Sequence, residues 1–416
     1  MPQTIWQSVW PFGTAYALSY GLRTINGVLA PELTTAFSLS AADLGLLSSA
    51  YLLTFALMQL PVGLLLDRYG PRRVESGLLL FAIAGCLVSA MASAFWQLWI
   101  GRALIGVGVS ACLMASYKFY RIWFDQRLQA PLASSMLVIG SAGALCATLP
   151  VQWALALMSW QDIFVWLALA FGLAFLAIRF ALPADSIVRS DGAPPLLKDA
   201  VDGLAQLTRA PIFWRMLPFG LLSYGGLLAM HSLWVAPWLS RVDGAGQAQA
   251  ALGLFVVTAT VLLSHLGTAA LSVRVQKWGW ELPKLMHTGL VGMAIATLAL
   301  MVAPVGWALY CWILVFLFGG VTTLAYTRFA SAFPIALSGR ATTGFNFLIF
   351  IGAFAVQWGL GLAIDGQWGL GLAIDGFMAM GSEEQLAMRM GIGLWLIAQV
   401  ASLLWLTRSQ AHPGRA

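Results

Sequence analysis

The sequence predicts an all-α integral membrane fold, with twelve transmembrane helices in two pseudo-symmetric six-helix bundles. Three observations carry that expectation. Of 416 residues, 60% are hydrophobic and only 9% are charged, where a soluble chain carries about 25% charged residues. Too few charges remain to cover a water-facing surface, so lipid is the outer solvent. Apolar stretches of the length a bilayer requires, about 20 residues, recur along the whole chain. The lysines and arginines also segregate. With both termini cytoplasmic, 18 of the 22 fall in inner loops or at inner helix ends. Arg241 and Arg389 fall outside, and Arg23 and Arg102 fall within spans. One span more or fewer in mid-chain would scramble this pattern, so it supports both the count and the topology.

In order, the N-terminal spans are expected at 8–31, 44–66, 74–94, 97–122, 129–157 and 162–181. The C-terminal spans are expected at 212–239, 249–273, 284–303, 306–329, 341–364 and 387–407. The first ten residues, MPQTIWQSVW, lack the basic n-region of a cleaved signal, so span 1 is expected to remain in the protein. The longest polar stretch, 182–210, contains Pro194, Pro195 and most of the clustered charge. The expected organisation is an N-terminal bundle over 1–182, a cytoplasmic linker over 183–210 and a C-terminal bundle over 211–416. Residues 196–209 form a candidate interfacial helix.

Two repeats stand out. Leu18-Ser19-Tyr20-Gly21 in span 1 is echoed by Leu222-Ser223-Tyr224-Gly225 in span 7, the weak internal symmetry of a repeat-built carrier. Residues 357–366, QWGLGLAIDG, recur identically at 367–376. One helix through both copies would be longer by about 15 Å and would turn them about 80° out of register. The first copy is therefore expected to complete span 11. The second is expected in the outer loop or along the interface, with Trp368 at headgroup level.

Several functional classes are excluded by what the residues do not form. Cys86, Cys112, Cys146 and Cys311 have neither paired nor metal-ligand spacing and read as small core hydrophobes. The histidines form no ligand motif. No nucleophile, metal or phosphate-loop motif is present, so no enzyme activity, cofactor or metal is expected. The net charge of +6 faces the cytoplasmic leaflet and does not imply nucleic acid.

Residues Gly63-Leu64-Leu65-Leu66-Asp67-Arg68-Tyr69-Gly70-Pro71-Arg72-Arg73 resemble the signature loop of the major facilitator superfamily. Physically, Gly63 would allow close helix approach. Asp67 would pair with a basic group or helix end, and Arg68, Arg72 and Arg73 would hold the loop in the cytoplasm. Gly70 completes the pattern. The equivalent 8–9 loop keeps only Gly267, Arg274 and Gly279. Gly101-Arg102 followed by Gly106 and Gly108 resembles the family's second motif, whose arginine is linked to proton coupling in some members. The other reading makes Arg102 a helix-tying arginine. The resemblance implies the major facilitator fold and transport by rocking of two halves about a midplane site.

Candidate substrate residues follow from span 1. An arginine inside a span is costly by about 2.5 kcal/mol or more and faces a cavity or another helix. Tyr16, Tyr20 and Asn26 share a face with Arg23, and its guanidinium forms a planar fork suited to carboxylate or phosphate. A structural or gating arginine is the alternative. Leu18–Leu33 resembles span 1 of the organophosphate:phosphate antiporters, where an arginine at the Arg23 position helps bind phosphate. Trp123-Phe124-Asp125-Gln126-Arg127 is similar to their W-W-x-x-x-[ED]-R. Their second arginine, in span 7, corresponds here to Ala229, with His231 nearby, so a singly charged organic anion fits better than a phosphate ester. The glycine-rich, asparagine-containing signatures of nitrate carriers are not present in Gly140–Pro150 or Gly344–Gly361.

In span 7, Tyr224, His231, Trp234 and Trp238 lie along one stripe. His231 is either a satisfied core group or a titratable site. Asn346 and Gln357 in span 11 are further candidates, and Lys118 reads as snorkelling to the headgroups. Among acids, Glu32, Asp162 and Asp365 sit near span ends. With no acid in mid-span, anion exchange or coupling through His231 is favoured.

The expected protein is a secondary transporter of a small organic anion, by proton symport or anion exchange. It is expected to act as a monomer in the bacterial cytoplasmic (inner) membrane. A transporter-like sensor of an anionic metabolite and a drug or metabolite exporter are the alternatives.

Overall fold

The bilayer-length apolar stretches all become helices. In chain order these are α1 (Ile5–Phe37), α2 (Ala41–Tyr69), α3 (Pro71–Ala90), α4 (Phe95–Trp123), α5 (Gln126–Leu155) and α6 (Trp160–Ala181). The second half contributes α7 (Pro211–Arg241), α8 (Gln247–Lys277), α9 (Leu282–Val302), α10 (Ala308–Ala330), α11 (Ser338–Ile364) and α12 (Glu383–Ala411). The computed structural model describes residues 5–183, 205–334, 338–366 and 383–411. Eleven of the twelve are long and apolar enough to cross a membrane by length and composition. The other, α1, has 33 residues, about 50 Å at 1.5 Å per residue. No strand occurs among the described residues.

The element boundaries have local causes. The signature segment is scarcely a loop: α2 runs through Tyr69, and α3 begins at Pro71. Only Gly70 separates them, at φ 86°, a conformation that favours glycine. Pro71 then supplies a pre-set φ in the first turn of α3. At the start of α6, Ser159 and Asp162 cap each other. The first decapeptide copy ends α11: the helix stops at Ile364, and Gly366 turns the chain at φ 69°. The second copy lies outside the described residues, as does most of the candidate helix over 196–209, of which 205–209 are helical.

Two irregularities concern function. Helix α7 carries π-type turns at Phe219–Tyr224 and Met230–Trp234, and such turns recur at functional sites. Helix α4 is interrupted between Gly108 and Cys112.

The chain forms two compact units. One holds residues 1–25 and 50–206, the other 26–49 and 207–416. In the first, α3 packs along α4 and α6. A Cβ at Gly108 would collide with Ala82, and one at Gly106 with Tyr51 and Thr54, so the closely spaced glycines of α4 seat it against α2 and α3. Gly63 behaves differently. Nothing lies within 4 Å of where its Cβ would be, so the close approach expected there is not made.

In the second unit, the carboxy-terminal end of α1 and the amino-terminal end of α2 pack with α7, α8 and α11. Gly27 lies against Leu233, Ala236 and Leu254. Gly45 lies against the Gln357 carbonyl, and Gly361 against Ala41 and Ala42. Backbone-to-backbone seams of small residues are how helices associate where lipid removes most of the hydrophobic driving force.

Candidate functional site

In the first unit, Arg23 is held in an aromatic setting. Its Nε donates to the Tyr51 hydroxyl at 3.3 Å, and Tyr51 in turn donates to the Ser19 carbonyl at 3.1 Å. The guanidinium carbon stands 5.0 Å from the Tyr20 ring centre and 4.7 Å from that of Phe55, within cation–π range. Tyr16 is buried and meets Tyr20 edge-on, 5.8 Å between ring centres. Gly140 of α5 leaves the space that the Tyr16 ring occupies.

Tyr16, Tyr20 and Arg23 thus come together, as their spacing on α1 predicts. Tyr51 and Phe55 of α2, stacked at 5.9 Å, complete the group. Sequence reasoning missed both, because aromatics four apart on an apolar helix look like ordinary core. Asn26 is buried on the same helix but belongs to the stretch that packs in the second unit.

The other candidates form three separate groups within the second unit. The Tyr224 ring meets Tyr326 edge-on at 5.9 Å, and the Tyr326 hydroxyl donates to Asn346 Oδ1 at 2.6 Å. His231 Nε2 bonds Thr258 Oγ1 at 3.0 Å, and the imidazole meets Phe316 edge-on at 5.6 Å. Thr258 gives its own proton to the Leu254 carbonyl, so the histidine completes this bond with Nε2 protonated. Gln357 is buried and accepts from Ser232 Oγ at 2.7 Å, while its Nε2 finds no partner among the described residues. Thr258, Ser232 and Tyr326 carry no sequence pattern that marks them. Trp234 and Trp238 are core side chains, with Trp238 packed edge-on to Trp312 at 6.2 Å.

In the signature segment, Asp67 pairs with Lys118 of α4. Lys118 was expected to snorkel to headgroups; the facing carboxylate engages it instead. Arg72 donates to the Arg179 carbonyl at the end of α6, and Arg68 lies 5.7 Å from the Tyr69 ring centre. Arg102 is buried, with its guanidinium 5.1 Å from the Phe164 ring centre. Its terminal nitrogens find no hydrogen-bond partner among the described residues.

Two expectations are corrected. Cys146 is exposed on α5, whereas Cys86, Cys112 and Cys311 are buried. Glu75, which is not among the acids that the sequence marks near span ends, is fully buried on α3. Among the described residues, no cluster of three His, Cys, Asp or Glu side chains could hold a metal ion.

Comparison with known proteins adds a family and a fold. The family model described as Major Facilitator Superfamily matches residues 12–356. The nitrate/nitrite transporter NrtP of Nostoc punctiforme is 30% identical over 180 residues, 41% of this chain and 35% of that protein. The hexuronate transporter of Escherichia coli is 27% identical over 151 residues, 36% of this chain and 34% of that one. The chain therefore covers about a third of the length of either relative. A crystal structure of a peptide transporter in complex with sulfate superposes with a TM-score of 0.75 at 14% identity, over 98% of this chain and 96% of that one. A D-xylose–proton symporter gives 0.71 at 16% identity, over 97% of each. At such identities the likeness concerns the fold alone.

Proposed function

Because this chain belongs to the Major Facilitator Superfamily, we propose that it is a secondary transporter that carries a small, singly charged organic anion across the cytoplasmic membrane. The bundles 1–182 and 211–416, joined by the linker 183–210, act as its two moving bodies. It performs no chemistry on its cargo.

The observation that carries the anion reading is the setting of Arg23. A guanidinium in mid-span, stacked on Tyr20 and Phe55 and steered by the Tyr51 hydroxyl, is oriented before any substrate arrives. Its donors form a fork that matches a carboxylate in two-point fashion. Buried Ala229 stands where the organophosphate antiporters have a second arginine. One clamp suits one negative charge, which favours a carboxylate over a phosphate ester. Relatives named for hexuronate and nitrate transport agree with a monoanion and do not single out the organophosphate branch. Tyr16 and Tyr20 beside the arginine suit a cargo that also carries hydroxyl groups.

Thermal stabilisation of the detergent-purified protein tests this reading. The panel is D-glucuronate, nitrate, glucose 6-phosphate and an organic cation, each against wild type and Arg23→Gln. Stabilisation by glucuronate that disappears in the variant supports the proposal. Stabilisation by the cation, unchanged in the variant, makes Arg23 structural and overturns it.

A further inference from the structure

Glu75 stands one turn into α3 with no exposed surface. Neither carboxylate oxygen meets an N–H or O–H donor among the described residues. What faces it is the Cys112 thiol, at the point where α4 resumes after its interruption. Cys112 in turn faces the Ser19 side chain of α1. The Ser19 carbonyl takes the Tyr51 hydroxyl, and that hydroxyl takes Arg23. Glu75, Cys112, Ser19, Tyr51 and Arg23 thus form a buried polar file across four helices of one unit. At its two ends lie a carboxyl group and the guanidinium assigned to the anion.

The charged groups around this file leave the acid without an ion-pair partner among the described residues. On α3 itself, Arg72 goes to the Arg179 carbonyl of α6. On α4, Lys118 pairs with Asp67, and Arg102 lies over Phe164. Asp162 of α6 is spent on Ser159 at the helix start. Arg23 on α1 is close enough to act electrostatically on Cys112. A carboxylate ion buried without donor or counter-ion is costly, so this site accommodates the neutral acid. An acid kept for structure alone would be expected to hold a donor, as Asp162 does.

We propose that Glu75 is the binding site of the coupling proton, and that its protonation and anion binding at Arg23 favour one another. The step is simple: a water-borne proton forms an O–H bond with the carboxylate on one side of the membrane, and that bond breaks to water on the other. An ionised Glu75 and an anion at Arg23 would be two negative charges at the two ends of one buried polar file within a poorly polarisable bundle. Each therefore disfavours the other. By linkage, neutralising either one favours the other's partner to the same degree. The result is proton–anion symport. Because Glu75 is sealed from water in this conformation, proton exchange waits for another, as strict coupling requires. The inference rests on the reading of Arg23 as the anion site.

The test is infrared spectroscopy of the protein in lipid through a pH titration, without substrate. Wild type is compared with Glu75→Gln, Arg23→Gln and Arg23→Lys. The expected wild-type spectrum holds a neutral-carboxyl carbonyl band that is missing from Glu75→Gln, the isostere of the neutral acid. In Arg23→Gln, with the positive charge at the other end of the file removed, the band is expected to persist to more alkaline pH; in Arg23→Lys it behaves as in wild type. If Glu75→Gln removes no such band, the acid is ionised and the proposal falls. A band that responds identically in Arg23→Gln refutes the coupling. Failure of the anion reading shows separately, in the ligand panel, whatever the band does.

Discussion

Asp365, just past the carboxy-terminal end of α11, caps the amino terminus of α2: its carboxylate accepts the backbone N–H of Ala42 at 2.7 Å and that of Ala41 at 3.0 Å. The first N–H groups of a helix have no partner within it, and its amino terminus favours negative charge. Ser40 and Asp43 satisfy part of that need locally. Asp365 adds two charge-assisted bonds from more than three hundred residues away, beside the close approaches of Gly361 to Ala41 and of Gly45 to Gln357. The amino terminus of α2 and the carboxy-terminal end of α11 are thereby latched.

Asp365→Ala should unlatch them. Hydrogen bonds to a charged group contribute about 1.5–3 kcal/mol each. With Asp365 only part-buried, a total near the lower figure is expected. A cysteine placed at Ala42 should then react faster with a soluble maleimide in the Asp365→Ala background. Equal rates in both backgrounds would show that the latch does not hold this state.

Arg23→Lys should retain part of the anion affinity that Arg23→Gln loses. The charge survives, but the two-point fork does not. An expected loss of roughly 1.5–3 kcal/mol for Gln corresponds to about 10- to 150-fold in affinity, with Lys in between. Titration calorimetry with D-glucuronate reads the ranking, and a Lys variant as weak as Gln would mean that geometry rather than charge dominates.

His231→Gln should leave the pH dependence of glucuronate uptake unchanged. The ring is committed to Thr258 and packed on Phe316, and the coupling proton is assigned to Glu75. The cost should appear in stability, about 1 kcal/mol for a lost buried hydrogen bond, read as a modest drop in melting temperature. An altered pH profile would return His231 to the coupling machinery.

The Asp67–Lys118 pair should contribute little to stability. Asp67 has 75% of its side chain exposed, and exposed pairs are worth about 0.2–1 kcal/mol. A double-mutant cycle with Asp67→Asn and Lys118→Gln, followed by thermal unfolding, is expected to give a coupling energy in that range. A larger coupling would mark the pair as a structural clamp.

Deleting residues 367–376 should be tolerated. α11 is already complete at Ile364, and Gly366 turns the chain out of it. The deletion leaves six residues before α12 at Glu383, a normal helix–helix connection. Melting temperature and uptake equal to wild type are the expected result. A collapse of either would give the second copy a role of its own.

Much of the architecture is written in local patterns. Composition excludes a water-facing surface and the apolar stretches mark the helices, because each depends only on transfer between water and lipid. The spacing of Tyr16, Tyr20 and Arg23 likewise shows a shared face, since helical periodicity follows from backbone geometry alone. The family motifs were legible as well, although the signature segment is helical on both sides of Gly70.

Tertiary structure decided which helices bring their polar groups to that face, because contacts between distant segments have no period in the chain. Tyr51 and Phe55 look like core until α2 is laid beside α1. Glu75 looks like one more charge at a helix end until packing closes over it. Asp365 looks like a loop acid until the amino terminus of α2 arrives against it. Sequence alone determined what the chain dissolves in and where its helices run. Packing settled which buried charges face one another, since in a bundle of uniformly apolar helices the partners are selected by the close approach of small residues and by the few polar groups that must not be left alone.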